Sequence, residues 1–229
     1  MLSGSPIEGK FGKNVTFEAK NMTIDFENSL ARTSGESTFI QDNDDSRIEI
    51  ISEGISYDFN ENILSSTNTV KAKFTNKRED SRPDKNGKKE IYVKSASFIA
   101  DEITLDAEKK RYECSGNVRF ETEENNFIEA EKLSGDYLKK TAKMTGRPHG
   151  RFKDYSLESD VLDIDYEAMI ITLKGNVKVE KNTGEGFESE KVVMRYGEGD
   201  RSLSIDGGVK IRINMEVNIK KKQDEGVKK

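Results

Sequence analysis

Ile171-Thr172-Leu173-Lys174-Gly175-Asn176-Val177-Lys178-Val179 is the stretch on which the fold is decided. Apolar and polar residues alternate on either side of its Gly-Asn pair. A period of two is the mark of a β-strand with one dry face and one wet face. Tyr112-Glu113-Cys114-Ser115-Gly116-Asn117-Val118-Arg119-Phe120 repeats the pattern. Leu203, Ile205, Gly207, Val209 and Ile211 repeat it again, and Leu64, Ser66, Asn68, Val70 and Ala72 do so more loosely. Ala142, Met144, Gly146 and Pro148 form a degenerate copy, whose proline lacks a backbone donor and predicts a strand end or edge.

A second kind of strand alternates with these. It reads apolar, any, small, acidic, any, apolar, any, apolar, and usually ends on an aromatic. Phe17 to Phe26 is the first copy, with Ala19 and, in place of the acid, Lys20. The others carry Ser52-Glu53, Ala100-Asp101, Ala130-Glu131, Ser159-Asp160 and Ser189-Glu190. Their leading apolar residues are Ile50, Phe98, Ile128, Leu157 and Phe187. In each copy the apolar position after the small residue comes three places later instead of two. One face stays dry through that slip only if the strand bulges or bends at the acidic residue.

Glycine-equivalent positions fall at 35, 68, 116, 146, 175 and 207, spacings of 33, 48, 30, 29 and 32. The chain is therefore read as about six copies of a two-strand repeat of roughly 30 residues. The long spacing is assigned to a charged loop, 76–90, inserted between strands. The expected fold is all-β, an elongated, folded antiparallel sheet of about 12–16 strands. Serial bends make it a V-shaped trough, on the order of 55 Å long for twelve strands in series. Residues 1–14 are expected to be a flexible N-terminal segment, 15–219 a single repeat-built domain, and 220–229 a charged tail.

Composition agrees with a thin core. Of 229 residues, 33% are hydrophobic and 35% charged, with no Trp, and the mean hydropathy is -0.80. Disorder would show no such pattern. The net charge of -5 is spread over interleaved signs, so no basic face points to nucleic acid; Lys220-Lys221-Lys222 and Lys228-Lys229 read as a solvated tail. The single cysteine, Cys114, excludes an internal disulfide and sits on the apolar side of its strand, as a small core residue. No apolar run approaches the length of a membrane-spanning helix. Met1 to Pro6 does not have the form of a signal peptide. If the protein is exported, its targeting segment is expected to lie outside this sequence.

No enzyme motif stands out. Asp163 and Asp165 share a face opposite Leu162, Ile164 and Tyr166, and Glu121 and Glu123 share one opposite Phe120. Such acids belong to the wet side of a strand, not to a paired-carboxylate cleft. The acids at the bends recur too regularly for one active site; they are read as caps of bend amides, or as partners of Lys or Arg across strands. His149 and Cys114 together cannot build the usual zinc site. Asp42-Asn43-Asp44-Asp45-Ser46 lacks the Gly and Glu of a calcium loop. Gly184-Glu185-Gly186 and Gly197-Glu198-Gly199 read as turns. No cofactor or metal is expected.

The strands at Gly116-Asn117-Val118 and Gly175-Asn176-Val177, with Ala130-Glu131 and Asp165-Tyr166 between them, resemble the OstA-like lipopolysaccharide-transport family (LptA, LptC and the N-terminal domain of LptD). The resemblance is best over about 98–213 and fainter over 15–75. It implies an open β-jelly roll in the periplasm of a diderm bacterium, carrying acyl chains of lipopolysaccharide in its interior. It also implies partners: other jelly-roll transport proteins joined end to end by edge-strand pairing. The residues expected to line the interior and touch lipid are Ile103, Leu105, Leu133, Tyr137, Leu162, Ile164, Tyr166, Leu173, Val177, Val192, Met194 and Tyr196. The last alternating run, Val209 to Ile219, is expected as a terminal strand or a docking edge. Two other readings stay open: a β-repeat scaffold whose interior is simply filled, and an envelope enzyme using Asp163 or Glu121.

Overall fold

In a computed structural model the described residues form nineteen β-strands joined into one antiparallel sheet. The structure describes residues 2–11, 14–43, 46–83, 89–122, 126–152, 154–168, 170–195, 203–206 and 209–212. In chain order the strands are β1 (Leu2–Phe11), β2 (Val15–Asp25), β3 (Leu30–Asp42), β4 (Ser46–Glu53), β5 (Ser56–Asp58), β6 (Ile63–Ser66) and β7 (Val70–Pro83). Then come β8 (Lys89–Ala100), β9 (Glu102–Asp106), β10 (Arg111–Thr122), β11 (Phe127–Asp136), β12 (Thr141–Thr145), β13 (His149–Phe152) and β14 (Tyr155–Glu158). β15 (Val161–Asp165), β16 (Ile170–Lys181), β17 (Gly186–Arg195), β18 (Leu203–Asp206) and β19 (Lys210–Arg212) complete the sheet.

The sheet is creased along its length into two half-sheets, here called upper and lower. Seven long strands, β1, β2, β3, β10, β11, β16 and β17, cross the crease. Each pairs in the upper half through one end and in the lower half through the other; β10, for example, pairs with β9 over 111–115 and with β8 over 119–122. Between them the chain crosses in short strands that break at the crease: β4 to β5, β6 to β7, β8 to β9, β12 to β13 and β14 to β15. These breaks raise the count from the expected 12–16 strands to nineteen.

At Ala19-Lys20, Ala130-Glu131 and Ser189-Glu190 the expected bend is a register shift, and at Ser52-Glu53, Ala100-Asp101 and Ser159-Asp160 it is a strand break. The shifts fall between Ala19 and Asn21 in β2, Ser115 and Val118 in β10, and Lys174 and Val177 in β16. Two consecutive left-handed residues make the bulge: Gly116 (φ +71°) and Asn117 (+45°), Gly175 (+72°) and Asn176 (+46°). Only Gly, and to a lesser degree Asn, takes this conformation at small cost. The acids close the bend. Asn117 Nδ2 donates to Asp101 Oδ2 at 2.8 Å and Asn176 Nδ2 to Asp160 Oδ2 at 2.9 Å. Asp101 N and Asp160 N donate to the carbonyls of Gly116 and Gly175, each at 2.9 Å. At these two sites the acids bond asparagine and backbone, not Lys or Arg. Pro148 lies between β12 and β13, at the expected strand end.

Two expectations are corrected. Residues 2–11, expected to be flexible, are strand β1, paired with β2 from Leu2↔Met22 to Phe11↔Val15. The stretch 76–90, expected as a loop, is mostly strand. β7 and β8 stay paired through Lys77↔Val93 and Glu79↔Ile91 to Pro83↔Lys89, beyond the last pairs of their neighbours, Ser46↔Asn76 and Thr122↔Ala96. Backbone ladders do not depend on apolar alternation, so a strand of this kind carries no periodic signal. Tyr196, Gly197 to Gly199, Gly207, Ile213 to Ile219 and the 220–229 tail lie outside the described residues.

Candidate functional site

The inner faces of the half-sheets meet. Ring contacts join lower to upper: Phe17 to Tyr57 at 5.6 Å, Phe74 to Tyr112 at 4.8 Å, Phe98 to Tyr112 at 5.8 Å and Phe120 to Tyr166 at 6.3 Å. The interior between them is the candidate site.

Antiparallel register places its lining in rows, because residues directly opposite share a face. The upper row beside the crease runs Ile103, Cys114, Leu133, Met144, Leu162, Leu173, Val192. The next upper row runs Leu105, Tyr112, Gly135, Ala142, Ile164, Ile171, Met194. Tyr137 and Tyr166 sit beyond it, on the rim, and Val177 lies on the lower half beside the crease. Eleven of the twelve expected lining residues are thus on one surface, and nine of them are buried, Tyr137 and Tyr166 being partly exposed.

The lower half-sheet contributes a row that the expected set leaves out: Phe17, Phe39, Ile50, Ala72, Phe98, Phe120, Ile128, Gly150, Leu157, Val179, Phe187. Its signal is in the repeat, since Phe17, Ile50, Phe98, Ile128, Leu157 and Phe187 are the leading apolar residues of the six copies. They lie before the bend, whereas most of the expected set lies after it.

The side of the interior away from the crease, the mouth, is built differently. The rim of the upper half-sheet is a stack of five turns with one plan, an aspartate followed by an aromatic residue or Ala107. Asp25, Asp58, Asp106, Asp136 and Asp165 each accept backbone N–H groups of their own turn, as Asp165 Oδ1 does from Glu167 at 3.0 Å and Ala168 at 2.7 Å. Ser29, Asn62, Lys110 and Lys140 close turns at positive φ. The carbonyl of each accepts from the next turn: Phe59, Ala107, Tyr137 and Tyr166, at 2.9–3.0 Å. These bonds run along the rim, within the upper half. What spans the mouth is side chain. Phe120 packs against Tyr166 and the Gln41 amide bonds Tyr137, while the Tyr166 hydroxyl bonds Tyr112 within the upper half.

The interior is packed shut. Leu64, Leu105, Leu173, Val118, Val177 and Val192 are each 0% exposed. The folded sheet has the apolar inner side expected from the repeat, and in this structure its two inner faces lie against each other. Once the crease brings two apolar faces together, closing them removes each large side chain from water, worth roughly 1.5–3 kcal/mol apiece.

The acids considered for catalysis hold structural contacts. Asp163 Oδ2 accepts Lys174 Nζ at 2.6 Å, Asp165 caps its turn, and Glu121 takes Arg119 Nε at 2.6 Å. Glu123 lies outside the described residues.

Burial, and then the nearby Glu113 charge, pushes the Cys114 thiol well above its ordinary range. It stays protonated, and a protonated thiol is a poor nucleophile. A thiol reagent at pH 8 is expected to label Cys114 at least ~100-fold more slowly in the folded chain than in urea-unfolded chain. Equal rates would mean that the half-sheets part freely.

No family model matches the sequence, and no curated protein does. Among solved structures the chain is similar to LptH, the LptA homologous periplasmic component of the lipopolysaccharide transport device of Pseudomonas aeruginosa. The likeness covers 53% of this chain and 75% of that one, at 16% identity and a TM-score of 0.38. A likeness that loose fixes neither ligand nor partners.

Proposed function

We propose that this chain is a periplasmic carrier protein that binds the acyl chains of lipopolysaccharide or a related lipid between its two half-sheets, as part of a bridge across a bacterial envelope. One observation carries the reading. The interior is a continuous apolar surface, held by backbone hydrogen bonds along the crease and by side-chain contacts at the mouth. Parting the mouth breaks few bonds and offers aliphatic and aromatic rows to an acyl chain. Each CH₂ taken from water then contributes about 0.8 kcal/mol, so a lipid tail suffices as ligand without a cofactor. The repeated Gly-Asn-Val strands, with their resemblance to the lipopolysaccharide-transport family, support the choice of lipid. End-to-end pairing with similar jelly-roll proteins through the terminal strands belongs to the same reading.

A photo-reactive residue at Tyr166, which is half-buried at the mouth, is expected to capture lipid when the protein is made in a diderm host. The same residue at Leu138, 73% exposed on the same rim, is expected to capture none. Only protein adducts at both positions would overturn the carrier reading.

A second reading is a non-catalytic β-repeat scaffold of the bacterial envelope. The closed interior favours it, since a scaffold needs no space between its half-sheets. Faster Cys114 labelling on addition of lipid speaks for the carrier, and an unchanged rate for the scaffold.

A further inference from the structure

The lower row nearest the mouth runs Val15, Gln41, Ile48, Phe74 in register. Gln41 is an amide among apolar neighbours and is 6% exposed. It bonds the Tyr137 hydroxyl across the mouth. Its Oε1 is buried and has no hydrogen-bond partner, so the bond to Tyr137 runs from Nε2. The Tyr137 hydroxyl donates its own proton to the Ala107 carbonyl at 3.3 Å and can therefore only accept from Gln41. That arrangement sets the orientation of the amide. It leaves a strong acceptor without a donor, two residues along β3 from Phe39, whose ring packs with those of Phe17 and Tyr57. Buried acceptors without donors are rare because each costs the hydration it gave up.

We propose that Gln41 Oε1 is a recognition point for a hydroxyl on the bound chain, so that the ligand is a hydroxylated acyl chain and not a plain one. This rests on the carrier reading above and narrows its ligand class. Because Gln41 lies in the outermost inward row, the matching hydroxyl sits near the head of the chain, not its tail. A plain chain at the same place would cover Oε1 with CH₂ groups and leave it unsatisfied, which is the source of discrimination.

Calorimetric titration of the full chain with 3-hydroxytetradecanoate and with tetradecanoate, both below their micelle concentrations, tests this. The hydroxylated chain is expected to bind about tenfold more tightly. In Gln41→Met, which keeps the side-chain length and removes the acceptor, the two affinities are expected to become equal, with the plain chain bound at least as well as by the parent. Equal affinities in the parent protein overturn the proposal and leave the carrier reading standing; a water that fills the position in every state would give this result. A preference that persists in Gln41→Met also overturns it. Binding of neither chain by the parent overturns both readings.

Discussion

Tyr112→Ala is expected to destabilise the fold by roughly 3–5 kcal/mol, and Gly135→Val by about 1–3 kcal/mol, yet the two together are expected to cost less than their sum. The side chain of Tyr112 lies on the inner face of the upper half-sheet, stacked near Phe98 and tilted against Phe74 of the lower one. Its strand partner is Gly135, and a Cβ built on Gly135 would run into the Tyr112 ring. Beyond Gly135 in the same row comes Ala142. One large ring covers two small residues, so the interior is filled by a complementary set and not by three independent side chains. Removing the ring opens a cavity and parts the two half-sheets where they touch most closely. Adding a side chain at Gly135 displaces the ring. In the double variant the new valine occupies part of the space the tyrosine left. Urea unfolding midpoints of the four proteins measure the coupling, expected at about 1–3 kcal/mol in favour of the double variant. Additive losses would mean that Tyr112 and Gly135 do not share one site.

That pair also marks the boundary of what the sequence lets one read. Alternation along a strand assigns a face, and it placed Leu162, Ile164, Leu173 and Val192 on the lined side without reference to any neighbour. The slip of phase at Ala130-Glu131 and Ser189-Glu190 located the bends, because backbone geometry there is dictated by the glycine and acid at that point. Complementarity across strands is different in kind. Gly135 reads as an interruption of β11 until Tyr112, 23 residues earlier, is known to lie opposite. Gln41 breaks the alternation of β3 for a similar reason, since its partner Tyr137 is on the rim of the other half-sheet. Residues 76–83 carry no apolar alternation, and their pairing with β8 is a backbone ladder that such alternation does not report. Four of the five aspartate turns do carry a sequence signal: Asp25-Phe26, Asp58-Phe59, Asp136-Tyr137 and Asp165-Tyr166 follow the repeat spacing, and in each the aspartate that starts the turn stands directly before the aromatic residue that closes the alternation. The closed state of the interior is legible in neither pattern, because alternation says that a face is dry and not what dries it.

Gly175→Ala is expected to cost about 2–4 kcal/mol, a large effect for the addition of one methyl group. Two terms combine. The left-handed conformation at φ +72° costs an L-residue roughly 1–2 kcal/mol. The remainder is steric, since the new Cβ would meet the Asp160 carboxyl, which cannot retreat without giving up the Asn176 amide it accepts. Asp160→Ala alone is expected to cost about 1 kcal/mol, the worth of that hydrogen bond. In the pair Asp160→Ala, Gly175→Ala the carboxyl clash is gone and only a tight contact with the remaining Cβ at 3.1 Å is left, so the conformational and hydrogen-bond costs dominate, about 2–3 kcal/mol in all, below the sum of the single losses. Gly116 with Asp101 offers an independent repeat of the same test at the next such bulge of the crease, where φ is +71° and the same aspartate oxygen stands in the way. If the crease is a passive bend, the two sites add, because β10 and β16 are separate crossings of it. If instead one site's loss exceeds the other's by several kcal/mol, the crease is not a repeated element and the stack does not share its angle. An angle fixed in this way at each crossing means that an acyl chain entering the interior would be admitted by movement of the side chains at the mouth, with the crease holding the two half-sheets in register.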